Sequence, residues 1–179
     1  MTNVRYALEE YRDIEIRNMA VERLAEGYAY EDVMASIHAK GRDNARTPMQ
    51  WNAGDNAGFT TGTPWIKVNP NYTRINVEAQ EADPNSVLNY YRRLVQLRKD
   101  EDVIRDGDYQ EILPDWDNIF AYSRNDGQKK LSVIANFSGE EVRYPAWTMD
   151  TAGEPILGNY NSLPAEGVLR PYEAVMYLK

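Results

Sequence analysis

The chain has 179 residues, with 28 acidic against 20 basic side chains for a formal net charge of −8, a single histidine and no cysteine. That balance argues against nucleic acid as a partner, because phosphate binding needs a basic face and Arg92-Arg93 and Lys129-Lys130 are only isolated pairs. Lack of cysteine removes disulfides, thiol nucleophiles and Cys-zinc sites, while the lone His38 excludes a His-rich zinc centre and has no Gly-x-Ser-x-Gly elbow to serve.

The N-terminal MTNVRYALEEYRD lacks the apolar segment of a signal peptide, and no apolar run is long enough to span a bilayer. The expectation is a cytoplasmic protein with no membrane partner. EIRNMAVERLAE (15–26) reads as a helix stopped by Gly27, and residues 31–39 read as a second short helix ended by Gly41. His38 lies in that second helix and reads as a structural or surface residue. Both helices are too short to persist alone in water, so they must rest on something larger.

Residues 41–80 show no sustained period of 2 or 3.6. Trp51, Phe59, Trp65, Ile66 and Tyr72 argue for an ordered loop packed on a scaffold, since disordered segments are poor in aromatics. In DPNSVLNYYRRLVQLRK, Asp83 fits an N-cap and Pro84 the first helical position, giving a helix over 84–99. Its apolar stripe is expected at Val87, Tyr91 and Leu94, broadened by Leu88, Tyr90 and Val95. From Asp108 the pattern changes to short alternating runs. Strands are expected at 109–113, 119–124, 130–137, 141–145 and 173–179, with a tight hairpin at Asn125-Asp126-Gly127-Gln128. The segment 151–168 reads as turns with one or two further short strands. The shift near Arg105 suggests two architectures, 1–104 and 105–179.

Unusual chemistry concentrates in GRDNARTPMQWNAGDNAGFTTGTPW (41–65). Arginine forks hold carboxylates and sugar hydroxyls through directed bonds, and indoles offer flat apolar faces. This suits a carbohydrate better than a nucleotide, and no phosphate-cradling glycine motif is present. The bland reading, a loop satisfying its own backbone with tryptophans used for packing, stands beside it. Asp106-Gly107-Asp108 and Asp115-Trp116-Asp117 read as turn residues rather than a metal site or a glycosidase carboxylate pair. No cofactor is implied.

RDNARTPMQW (42–51), NAGFT (56–60), PWI (64–66), VNPNY (68–72) and INVE (75–78) strongly resemble glycoside hydrolase family 13, nearest to oligo-1,6-glucosidases and dextran glucosidases. EEYRDIE (9–15) and YYRRLVQLRK (90–99) fit the same family in the same order. The resemblance implies an α+β piece, in which residues 1–104 form the loop after the last strand and the last helix of a (β/α)8 barrel, and 105–179 form a C-terminal β-sandwich. It implies retaining hydrolysis of α-glucosidic bonds in short gluco-oligosaccharides. The nucleophile, the acid and their supporting aspartate belong to earlier barrel strands, and none has a counterpart here, so the chain is expected to be inactive alone.

By the same resemblance, Arg46 is a substrate-binding residue, pairing with an aspartate from an early barrel loop that this chain lacks. Arg42 is a second substrate-site candidate that, with Asp43, buttresses the loop. Trp51 and Trp65 are assigned to packing, with the substrate entrance as the alternative. The implied partners are the gluco-oligosaccharide and a chain carrying the rest of the barrel, without which helix 84–99 would expose Val87, Tyr91, Leu94 and Val95. A non-catalytic carbohydrate-binding β module is the alternative. Its weakness is the expectation that 108–179 has no clustered row of exposed aromatics, Trp116 and Trp147 being far apart in sequence.

Overall fold

The computed structural model describes residues 2–149 and 153–179. They form two compact units, one ending at Asn89 and one beginning at Tyr90.

In the first unit, α1 (Ile14–Ala25) and α2 (Tyr30–Lys40) pack through Ile16, Ala20, Val33, Met34 and Ile37 onto Val4, Tyr6, Tyr11 and Ile66. Asp13 caps α1 by accepting the Glu15 N–H at 3.1 Å. Gly27, at φ +90°, ends it: the Gly27 and Tyr28 N–H groups donate back to the Leu24 and Arg23 carbonyls, a closure that needs a left-handed residue. His38 is half-buried, with Nε2 3.3 Å from the Tyr6 carbonyl oxygen, a structural place.

The segment 41–76 contains three 3-10 turns, Arg42–Ala45, Asp55–Gly58 and Pro70–Thr73, and is ordered as expected. It is followed by a short helix that the sequence did not signal, α3 (Val77–Ala82). Asn76 caps α3 through the Ala79 N–H, and its first amides are taken by the carbonyls of Gln50 and Trp51. Residues 56 to 58 all have positive φ, of 49°, 57° and 67°, which turns the chain sharply below Phe59.

The helix expected over 84–99 is α4 (Val87–Asp100). Its cap is Ser86, whose Oγ accepts the Asn89 N–H at 3.1 Å, and not Asp83. Asp83 instead closes a turn, with its carboxylate accepting from Asn85 and its carbonyl from Ser86. Both residues are good cap types, and the proline that favoured Asp83 sits within the turn.

A short α5 (Asp102–Asp106) leads into the strands of the second unit. These are β1 (Asp108–Ile112), β2 (Ile119–Asn125), β3 (Lys130–Asn136), β4 (Val142–Arg143), β5 (Glu154–Gly158), β6 (Val168–Leu169) and β7 (Ala174–Leu178). All five expected strands are present, β1 shifted back by one residue, β2 longer by one, and β3, β4 and β7 shorter, and two further short strands occur, β5 within 151–168 and β6 at its end. The pairing is antiparallel throughout. One sheet runs in the order β1-β2-β3-β7-β5, and β4 and β6 form a separate pair. A bulge interrupts β5 between Pro155 and Leu157.

Strict alternation separates the faces of the large sheet. Ile119, Ala121, Ile134, Val175 and Tyr177 point to one side and pack with Tyr144, Met149 and Leu169. Leu131, Val133, Met176 and Leu178 point to the other and pack with Val103, Ile104, Tyr90, Leu94 and Leu97. The α4 stripe that packs on the sheet is therefore Tyr90, Leu94 and Leu97, each half-buried, whereas Val87, Tyr91 and Val95 are exposed. The same alternation brings together aromatics that are scattered in sequence. Tyr109, Tyr122, Phe120 and Phe137 make one continuous row with centroids 5.4, 5.6 and 6.4 Å apart.

Candidate functional site

Arg46 follows the 3-10 turn Arg42–Ala45, which brings its side chain back over Asp43. Its Nη2 donates to Asp43 Oδ1 at 2.6 Å and lies 3.7 Å from Asp13 Oδ1. Asp43 is fully buried, and its Oδ2 accepts the backbone N–H groups of Arg12 and Asp13 at 2.7 and 3.1 Å. One aspartate thus locks the 42–46 turn to the start of α1, which is the buttressing role expected of it. Asp13 is also buried, and its Oδ2 has no hydrogen-bond partner among the described residues. Two carboxylates therefore share one guanidinium, so this chain itself supplies acidic partners for Arg46.

The Arg46 guanidinium stands 5.7 Å over the ring of Trp65. Trp65 is 59% exposed and Trp51 50% exposed, so neither serves as a core residue in this chain. The motif gave the residue types, but burial depends on neighbours that sequence alone does not provide. Beside Trp65 lies an open cleft of about 460 Å³ lined by Glu9, Glu10, Arg12, Asn56, Trp65 and Tyr72, among others. Lys67 reaches Glu10 at 2.8 Å, and with the Ala7 N–H it holds the Glu10 carboxyl below its ordinary pKa. Glu10 is thereby kept ionised and poorly suited to donate a proton.

Arg42 is placed differently. It makes an exposed pair with Glu15 on α1 at 3.1 Å, sharing neither partner nor ring with Arg46. Asp115 and Asp117 are exposed on the β1–β2 connection, as turn residues should be. No cluster of three metal-ligating side chains occurs among the described residues, and none of their helices is long and apolar enough to cross a membrane.

A guanidinium steadied by buried carboxylates next to an exposed indole can grip hydroxyls and stack on a sugar ring. Asp43 cannot act as a nucleophile from its position, being sealed from solvent with both oxygens occupied.

This arrangement belongs to a known class. Residues 1–107 match the family model of the alpha-amylase catalytic domain, and the chain is a member of that family. Among its relatives, the oligo-1,6-glucosidase of Parageobacillus thermoglucosidasius is 50% identical over 185 residues, covering 99% of this chain and 33% of the relative. The trehalose-6-phosphate hydrolase of Bacillus subtilis is 43% identical over 189 residues, again covering 99% and 33%. The crystal structure of Bacillus licheniformis trehalose-6-phosphate hydrolase superposes with a TM-score of 0.91 at 40% identity, over 99% of this chain and 34% of that one. Isomaltulose synthase from Klebsiella sp. LX3 superposes at 0.88 with 36% identity. The chain spans about a third of the length of these relatives.

Proposed function

We propose that this chain is the C-terminal portion of an α-glucosidase of the oligo-1,6-glucosidase type, which hydrolyses α-glucosidic bonds of short gluco-oligosaccharides with retention and is inactive by itself. In this reading residues 1–104 are the loop and last helix that follow the final strand of a (β/α)8 barrel, and 105–179 are its C-terminal β-sandwich. Arg46 contributes a hydroxyl-binding fork next to the reacting glucose, and Arg42 supports the same loop from its surface. The observation that carries the reading is the Asp43-Arg46-Trp65 arrangement inside a segment half identical to an oligo-1,6-glucosidase. Of the carboxylates in the cleft beside those binding groups, Glu10 is paired with Lys67 and held ionised, which suits it poorly to protonate a glycosidic bond as retaining chemistry requires. The buried, unpartnered Asp13 Oδ2 beside Arg46 also favours a site completed by further donors.

Glucose release from isomaltose, panose and p-nitrophenyl α-glucoside by the purified chain tests this. No release above buffer is expected. Turnover that survives purification and is lost in Arg46→Ala would overturn the reading.

A further inference from the structure

In the second unit, β5 and the chain after it shape an open cleft of about 270 Å³, lined by Arg93, Ile156, Tyr160, Asn161, Ser162 and Leu163 among others. Tyr160 is fixed at its tip and on one face. Its hydroxyl donates to the Pro171 carbonyl oxygen at 2.8 Å, and the Arg170 guanidinium stacks 4.0 Å from its ring centroid. Arg170 is itself immobilised. It bonds the fully buried Glu173 through Nε at 3.0 Å and through Nη2, and Ser162 Oγ through Nη1 at 2.9 Å. Asn159 ties down the start of the same segment, donating to the Tyr172 carbonyl oxygen at 2.7 Å and accepting the Ala174 N–H at 2.9 Å. Residues 159–162 are thus held by side chains, and little ordering is left for a ligand to impose.

Tyr160 is 40% exposed and lines the cleft, whereas Arg170 does not, so the open side of the ring is the one away from the guanidinium. Beside it stand two uncommitted polar arms. Among the described residues, Arg93 has no carboxylate partner and meets only the Tyr90 ring, at 5.6 Å, and the Asn161 amide has no partner. An exposed tyrosine alone is ordinary. A clamped ring flanked by free hydrogen-bonding groups and by the apolar Ile156 and Leu163 has the composition of a sugar-binding surface. There a ring face stacks on the apolar side of the sugar while polar arms catch its hydroxyls. A free anion is the rival ligand. It would meet the Glu173 carboxylate on the cleft wall, with Arg93 as the only cation in the lining.

We propose that this cleft is a non-catalytic binding site for one end of an α-gluco-oligosaccharide, with Tyr160 as the stacking platform and Arg93 and Asn161 as hydroxyl-binding arms. The choice of an α-linked glucan rests on the α-glucosidase reading; the clamped ring and its open donors do not. The cleft is open and lies near the lower end of ligand-site sizes, so affinity is weak, with Kd on the order of millimolar.

The experiment is a nitrogen-15 chemical-shift titration of the 179-residue chain with isomaltotriose. Saturable shifts are expected at the amides of Tyr160, Asn161 and Ser162 and at the Arg93 Nε–H. Tyr160→Ala should weaken binding about five-fold or more, and Tyr160→Phe, which keeps the ring, should stay within about two-fold of the parent. Arg93→Ala and Asn161→Ala should each weaken it about three-fold. Both side chains are exposed and hold nothing in place, so these two variants carry the test even if Tyr160→Ala fails to fold. No saturable shift at tens of millimolar sugar overturns the proposal, as does unchanged affinity in the Arg93→Ala, Asn161→Ala double variant. Shifts confined to Trp65 and the 42–46 turn would place the sugar on the first unit and overturn it too. Saturation by sodium sulfate but not by isomaltotriose would make this an anion site, and tighter binding of cellotriose would remove the α-linked glucan; either result overturns the proposal. Glucose release by the purified chain would sink the α-glucosidase reading without moving these signals, so the two failures are told apart.

Discussion

The two units solve the same problem, satisfying backbone polar groups away from water, by different means. The unit beginning at Tyr90 does it with ladders: seven residue pairs join β2 to β3 and five join β3 to β7. The unit ending at Asn89 has no strand among its described residues and relies on short polar side chains. Asn44 accepts from Val4 and donates to the His38 carbonyl, Asn3 donates to His38 and Ala39, and Asn69 donates to Thr2. A ladder bond depends on no particular side chain, so sequence enters mainly through the faces it buries. Outside its helices, the first unit often uses the side chain itself as the bond. Damage should therefore come from apolar truncation in one unit and from polar truncation in the other.

The largest expected effect is Leu131→Ala. Leu131 is fully buried between sheet and helix, and its loss should cost the second unit about 3–4 kcal/mol in urea denaturation. Asp43→Ala comes next, at about 2–3 kcal/mol, because it leaves two backbone N–H groups without their acceptor. Loss of unit-one fluorescence from Trp51 and Trp65 at lower denaturant would report it; a value under about 0.5 kcal/mol would refute the account of that unit.

Alkali should act on both units, since burial also raises the phenols of Tyr90, Tyr122, Tyr144 and Tyr177 in the second. Burial, with the neighbouring Tyr11 and Glu10, pushes the Tyr6 phenol up to about 12 from 10.0, and the hydroxyl donates to the Lys67 carbonyl. The folded pKa is raised, so this contribution is fully present below pH 10 and is lost as pH rises toward 12. Ultraviolet titration at 295 nm, followed in parallel with unit-one fluorescence, should show ionisation and loosening together. The smallest effect belongs to Arg42→Ala. Its pair with Glu15 is exposed on both sides, and a change of no more than about 0.5 kcal/mol is expected. A larger loss would mean that Arg42 supports the 42–46 turn in a way its visible contacts do not explain.

Legibility followed the same division. Alternating runs bounded by turns marked β1, β2, β3 and β7, although only β2 buries a single face, β3 and β7 bury both and β1 is almost wholly exposed, and the Asp-Gly turn marked the hairpin. α3 escaped notice because six residues provide less than two turns of period, and what fixes it is the distant Gln50 and Trp51 carbonyls. Arg46 could be picked out by resemblance, but its partner could not. The pairing with Asp43 arises from a tight 3-10 turn that no propensity marks. The aromatic row was hidden for another reason: Tyr109 and Phe137 are 28 positions apart, and only strand register makes them part of one surface.

The bulged β5 has a consequence for how this chain can associate. It borders the large sheet on one side, as β1 does on the other, so each presents an unpaired rim among the described residues. Pro155 removes an amide donor from one rim and the register slip beside it distorts the rest; Asp108 and Glu111 place like charges along the other. Both rims are poor templates for an incoming strand. Crowded copies of this chain should accordingly not zip edge to edge into fibrils.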